Sequence, residues 1–192
     1  MYILVLSSTS PFRQQIFHKL IIEFVVDSPE ISEEALENEP PVELVKRLSK
    51  LKAMAVANHH PQALIIGSDQ VAVLDREILG KPHSHENAVK QLAAASGKRV
   101  EFLTGLCLYN SATQKTQVAC VPFVVHFRQL NNEQIERYLA HDQPYNCAGS
   151  FKSEGLGISL FENMEGDDPN ALIGLPLIEL IRMLHNEGIE IP

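Results

Sequence analysis

Two long β-like runs, RVEFLTGLCLYN (99–110) and QVACVPFVVHF (117–127), follow one another with only the polar turn SATQKT between them. Parallel neighbours need a crossover of about a dozen residues or more, so a connection this short reads as an antiparallel pair. That pair weighs against a purely parallel sheet. The rest of the chain alternates strands with helices. Residues 2–6 are an apolar run that reads as a buried strand, and a helix is expected from about 11 to 20, where Phe12, Ile16 and Leu20 share a face. IEFVVDSPEI reads as a second strand, followed by the acidic segment EISEEALENEPP. Pro41 opens a helix whose apolar positions 44, 45, 48, 51 and 55 fit the helical period. LIIGSDQVAVLDREILGKP reads as a hairpin turning at Asp75-Arg76-Glu77, and Ser84 caps a helix that runs to Ser96 and stops at Gly97. After the central pair come a helix, NNEQIERYLAHD, a glycine-rich stretch, CAGSFKSEGLGISLFENMEGDDPN, and a last helix entered through Pro176. The expected class is α/β or α+β, with a mixed, curved sheet between helices in a single domain spanning 1–192.

Composition narrows the function classes. With 192 residues, 45% hydrophobic and 21% charged, the chain is ordinary for a soluble globular enzyme. No apolar run approaches the roughly 18 residues that span a bilayer. The N-terminal run has no cationic lead-in and breaks at Ser7, so no signal peptide is expected. Three widely spaced cysteines, Cys107, Cys120 and Cys147, form neither a disulfide framework nor a zinc pattern, and a reducing cytoplasm fits. A net charge of -8 argues against nucleic acid as a partner, which needs clustered basic surface. An acidic chain that binds a polyanion must instead gather its few cations locally or recruit a metal ion.

One stretch raises that question directly. SSTSPFR (7–13) places four hydroxyls, a proline, an aromatic and an arginine after the first strand. Ser and Thr cap helices and Pro opens them, so a well-made turn is one reading. A phosphate cradle is the other: a strand, a hydroxyl-rich turn and a helix start present backbone N–H groups, and Arg13 offers a guanidinium fork. Asp69 lies between the apolar runs LII and VAV, where an unpaired carboxylate is costly; it is a turn residue of GSDQ or a functional one. Taken alone, Lys81 reads as a solvated charge, Lys52 as a snorkelling side chain and Glu33 as part of a solvated acidic loop. His59-His60 and His83-x-His85 lack a matched ligand pair and read as surface histidines, while Cys107 and Cys120 sit in apolar strands. G-x-S-x-G, G-x-x-x-x-G-K-[ST] and G-x-G-x-x-G are absent.

Read in order, SSTSPFR, PEISEE, the lysine before Ala53, IIGSDQVAVLD, LGKP, AGSFKSEGLG and IGLPL resemble the Maf family of nucleotide pyrophosphatases over nearly the whole chain. The GSDQ and FKSEG variants, with an aromatic before Arg13, resemble the subgroup that hydrolyses 7-methyl-GTP. The resemblance implies an elongated mixed α/β sheet in two lobes with a cleft, related to the inosine triphosphate pyrophosphatases. It also implies a cytoplasmic hydrolase that releases pyrophosphate from a nucleoside triphosphate with Mg²⁺ or Mn²⁺, and a homodimer. Ser8, Arg13, Lys52 and Lys81 are then expected on the triphosphate. Glu33 and Asp69 are expected on the metal, with Asp69 also the proton acceptor. Phe12, Gln70 and Glu154 are expected at the base. Physics supports the last group: a 7-methylguanine ring is cationic, stacking on Phe12 is worth roughly 0.5–2 kcal/mol, and Glu154 would accept from the guanine edge. Phe12 stands where the subgroup tends to carry Trp, and it equally fits the core with Ile16 and Leu20. Two other readings stay open: a pyrimidine triphosphate pyrophosphatase of the same family, and a regulator of septum formation that binds nucleotide without turnover.

Overall fold

The computed structural model describes residues 2–191. Seven strands are hydrogen-bonded: β1 (Ile3–Ser7), β2 (Val25–Asp27), β3 (Ala63–Leu74), β4 (Glu77–Leu79), β5 (Arg99–Asn110), β6 (Lys115–Phe127) and β7 (Phe161–Glu165). Their order is β2-β1-β3-β5-β6-β7, with β4 pairing on β3. β1 runs parallel to both β2 and β3, whereas β3/β4 and β6/β7 are antiparallel, so the sheet is mixed. The helices are α1 (Pro11–Phe17), α2 (Pro41–Ala55), α3 (His85–Ala95), α4 (Asn132–Asp142), α5 (Pro169–Ile173) and α6 (Leu177–Asn186). Among the described residues no helix is long and apolar enough to cross a membrane.

The chain divides into two compact units. The first holds the residues up to Gln70, Thr104–Val121, and the residues from Asp168 on; the second holds Val71–Leu103 and Pro122–Asp167. In the first unit the pleat explains the burial. Leu4, Leu6, Leu64, Ile66, Leu106 and Leu108 point to one face, against Ile16 and Phe17 of α1 and the apolar face of α6. Val5, Ile65, Cys107 and Tyr109 point to the other, against Ala53 of α2. A sheet covered on both faces needs continuous apolar strands, which is what these runs are. In the second unit Phe102, Phe127, Phe151 and Phe161 meet edge to face, with centroids 4.8–5.8 Å apart.

Local signals act as expected at several points. Asp75 and Arg76 both take positive φ, closing the β3–β4 hairpin in the primed-turn manner that suits strand twist. Ser84 accepts from the Asn87 N–H at the start of α3. Three expectations change. The helix expected at 11–20 is α1 plus a 3₁₀ turn over His18–Leu20. The glycine-rich stretch contains β7 and the first two residues of α5. Phe12 does not share the core face: it is half-buried and lies outside the cluster that Ile16 and Phe17 enter.

Candidate active site

The first unit brings together most of the residues singled out in the sequence. Helix α2 is pressed against the sheet at two glycines. A Cβ at Gly67 would lie 2.1 Å from the Ser49 carbonyl oxygen and 2.7 Å from the Ala53 nitrogen, and one at Gly105 would lie 2.1 Å from the Val45 carbonyl. Only glycine permits so close an approach. The Ser7 hydroxyl, at the end of β1, donates to the Lys52 carbonyl at 2.6 Å and ties the same helix to the same strand. The result is that Lys52 is delivered, by its own helix, onto Asp69 of β3.

Lys52 Nζ lies 2.6 Å from Asp69 Oδ1 and 2.7 Å from Glu33 Oε1. The Lys52 and Asp69 side chains are only 7% and 9% exposed, while Glu33 reaches in from a solvated segment at 53%. A buried carboxylate is retained here because an ammonium neutralises it at contact. Arg13 adds to the same local field. Burial pushes its guanidinium down, and the negative charges of Asp69 and Glu33 act in the opposite direction. Its Nε donates to the Gly174 carbonyl at 2.8 Å.

The four hydroxyls of 7–10 divide their work. Ser7 holds α2, and Ser10 caps α1 by accepting from the Arg13 N–H. Ser8 is buried, and its Oγ accepts from the Ser10 N–H at 3.1 Å. Thr9 is exposed. The capping reading of this turn therefore holds for Ser10, Ser8 closes the turn beneath it, and Arg13 is left in the field of the carboxylates.

GSDQ is no turn, because residues 67–70 run on as strand within β3, and this stretch is held by α5. Ser68 Oγ sits 2.9 Å from the Gly105 carbonyl and 2.8 Å from that of Gly174. The Gln70 amide donates to the Ala171 and Leu172 carbonyls at 2.7 and 3.1 Å, and to Thr104 Oγ1 at 2.9 Å. Thr104 in turn donates to the Ala171 carbonyl. α5 itself starts at Asp168, whose Oδ1 accepts from the Asn170 N–H and whose Oδ2 accepts from the Ile178 N–H, and ends at Gly174 with φ 113. Ser7, Ser68 and Thr104 were not among the sequence candidates. Their signal was available: each is a hydroxyl inside an otherwise apolar, buried strand, where it needs a partner.

Lys81 and Glu154 belong to the second unit. Lys81 is exposed in the segment after β4, and Glu154 is exposed with Ser153 Oγ 3.3 Å from its Oε2. The two act on a common neighbour, Cys147: burial pushes that thiol up, Glu154 raises it further, and Lys152 and Lys81 pull it down. The FKSEG turn is anchored by Phe151 in the aromatic cluster, by the Lys152 N–H on Tyr138 Oη at 2.9 Å, and by Lys152 Nζ on the Asp142 carbonyl at 2.6 Å.

The histidine pairs do not behave alike. His59 Nδ1 and His60 Nε2 both lie about 3 Å from Asp27 Oδ2 and the His60 side chain is half-buried, whereas His83 and His85 are exposed. Among the described residues, no three His, Cys, Asp or Glu side chains converge as a metal site. The Glu33–Asp69 pair nonetheless fits a hard dication of the Mg²⁺ type, which is commonly held by one or two carboxylates together with substrate phosphates and water.

Comparison with known proteins identifies the family. The family model described as Maf-like protein matches residues 3–187. A 7-methyl-GTP pyrophosphatase from Alcanivorax borkumensis is 58% identical over 98% of this chain and 96% of its own length. One from Pseudomonas aeruginosa is 56% identical, covering 98% of each, and one from Vibrio parahaemolyticus is 55% identical over 99% of this chain and 98% of its own. In fold, the chain is similar to the Staphylococcus aureus Ham1 protein, with a TM-score of 0.55 at 13% identity, covering 96% of this chain and 98% of that one. A HAM1 protein from Coxiella burnetii gives 0.53 at 13%, covering 97% and 100%. With a family model matched from the first strand to the last helix and more than half of its residues shared with full-length relatives, the chain belongs to the Maf family.

Proposed function

We propose that the chain hydrolyses 7-methyl-GTP to 7-methyl-GMP and pyrophosphate, with a divalent metal. The observation that carries the reaction class is the single ammonium of Lys52 shared by Glu33 and Asp69, within the field of Arg13. A merely structural lysine has no need of two carboxylates, and a nucleotide-binding module has no need of a buried Asp69 that would repel phosphate. The base is supported by the full-length relatives named for 7-methyl-GTP.

The mechanism follows from the side chains. Ser8, Arg13 and Lys52 take the triphosphate, the guanidinium fork pairing with phosphate oxygens. Glu33 and Asp69 would hold Mg²⁺ or Mn²⁺, which when bound supplies positive charge to the phosphoryl oxygens. Asp69 accepts the proton of the attacking water, and Lys52 at 2.6 Å fixes the orientation of that carboxylate. Arg13 and Lys52 then stabilise charge that develops on the leaving pyrophosphate, the kind of electrostatic effect that dominates such reactions. By family resemblance Lys81 also takes the triphosphate, and Phe12 and Glu154 take the methylated base. The Gln70 side-chain NH₂ group is engaged by Thr104 and α5, which holds the stretch of β3 that carries Asp69, and by family resemblance Gln70 also faces the base. The reading includes a cytoplasmic location, action as a homodimer, and operation of residues 1–192 as one domain.

The test is pyrophosphate release from 7-methyl-GTP, GTP, UTP, dTTP and CTP with Mg²⁺ or Mn²⁺, for the wild type and Asp69→Asn. Preference for 7-methyl-GTP, lowered about 10²–10⁴-fold by the variant, is the expected outcome. Preference for UTP or dTTP keeps the mechanism and removes the account of the base. Nucleotide binding without release from any of them makes the protein a regulator.

A further inference from the structure

Glu33 lies in a segment, 28–40, that has neither helix nor strand, and the segment also carries Glu30, Glu34, Glu37 and Glu39. Like charges and chain entropy both oppose ordering such a stretch. Glu33 nevertheless reaches Lys52 Nζ at 2.7 Å. Something must hold the segment, and the structure identifies it. Arg47, on the second turn of α2, donates through Nε to Glu39 Oε1 at 2.6 Å and through Nη2 to Glu39 Oε2 at 2.7 Å. The same Nη2 donates to the Glu34 carbonyl at 2.9 Å. Glu39 Oε2 also accepts from the Leu36 N–H at 3.0 Å, and the Glu39 N–H donates to the Leu36 carbonyl. One guanidinium thus binds both ends of the turn 34–39, starting at the residue next to Glu33.

We propose that Arg47, working through Glu39, is a positioning residue that sets Glu33 against Lys52 and Asp69. The proposal rests on the role given above to Glu33. A planar fork is required, because three acceptors at fixed angles are engaged at once; the compact ammonium of a lysine does not reproduce that geometry. Supporting charges point the same way: Glu39 and, more distantly, Asp69 raise the Arg47 guanidinium, while Arg47 holds the Glu39 carboxyl down at about 2. Arg47 and Lys52 share one helix, so α2 places the latch and the ammonium together.

The experiment is a mutant cycle. Arg47→Met, Arg47→Lys and Glu39→Gln are made in the wild-type and Glu33→Gln backgrounds, and kcat and KM are measured with whichever panel triphosphate the wild type turns over fastest. Arg47→Met should lower kcat about 10- to 100-fold, in the range seen when supporting residues of a metal site are lost, with KM nearly unchanged, and Arg47→Lys should recover little of it. In the Glu33→Gln background Arg47→Met should cost nothing further. An equal fold-loss in both backgrounds, or no loss in the wild type, overturns the proposal. If Arg47→Met does not fold, Glu39→Gln carries the same comparison with a several-fold loss. Hydrogen exchange of the Leu36 and Glu39 amides gives a readout without substrate: Arg47→Met should speed both while β1 and β3 stay protected, and unchanged exchange overturns the latch. A wild type that releases no pyrophosphate from any nucleotide would remove the proposed function, and the exchange measurement would still decide the latch.

Discussion

The GSDQ stretch of β3 in the first unit and the turn FKSEG in the second both carry residues of the family motifs, and they are built in opposite ways. In the strand stretch, Ser68, Asp69 and Gln70 are each tied by side-chain bonds to residues distant in the chain: two glycine carbonyls, an ammonium, and the carbonyl end of α5. In the turn, Phe151 and Lys152 are anchored, and then Ser153 and Glu154 lead out to solvent. A reacting carboxylate must be held to a fraction of an ångström, which takes a rigid surround. A residue that chooses a base needs the right charge in the right place, and a short exposed loop on a fixed anchor provides it. Substitutions in the strand stretch should therefore be read in stability and rate together, and those in the turn in selectivity alone.

The contrast can be broken most directly through the two lysines. Lys52→Met leaves Asp69 buried without its cation and should cost about 3–5 kcal/mol in urea denaturation, whereas Lys81→Met, on an exposed side chain, should stay within about 0.5 kcal/mol. Equal unfolding midpoints for the two variants would dissolve the distinction. Glycines sharpen it next. Gly67→Ala drives a Cβ into the Ser49 carbonyl and should cost about 1–3 kcal/mol or more. Gly80→Ala, beside Lys81, meets nothing within 4 Å and should leave the melting temperature where it is. Glu154→Gln should leave the melting temperature equally untouched while reducing the preference for 7-methyl-GTP over GTP roughly tenfold, about 1.4 kcal/mol of discrimination. A loss of stability there would mean the turn is part of the frame.

The smallest effect is a titration within the first unit. Glu39 is lowered from 4.5 to about 2 by its hydrogen bonds with Arg47. A depressed carboxyl stabilises the fold fully above its ordinary value, and the contribution disappears as pH falls through the folded one. The Arg47–Glu39 contribution should thus be complete above about 4.5 and lost between there and about 2. Carboxyl NMR should show Glu39 titrating near 2 in the wild type and near its ordinary value in Arg47→Met.

Much of this architecture was legible residue by residue. Periodicity located the strands and the long helices, the Asp75-Arg76 turn and the Ser84 cap were readable from local chemistry, and ordered motifs indicated the family. β7 and α5 were not, because their segments are rich in glycine and polar residues and they are held by distant partners: β7 pairs on β6, and α5 is held by Gln70, Thr104 and Ser68. Phe12 was ambiguous because helical spacing places it with Ile16, yet it is half-buried outside the cluster that Ile16 enters. Glu33 and Lys52 were individually ordinary in sequence, as a loop acid and a helix lysine, and Asp69 stood out only as a carboxylate between apolar runs. Their meaning lies in one nitrogen touching both carboxylates, and no spacing rule encodes that.

The Gly174 carbonyl accepts from Arg13 Nε and also lies within hydrogen-bond distance of Ser68 Oγ. During synthesis the arginine is therefore made early, its strand partner later, and the oxygen that fastens both only near the end. A nascent chain holding every proposed substrate-binding side chain still lacks the carbonyl that fastens Arg13 and the serine next to Asp69.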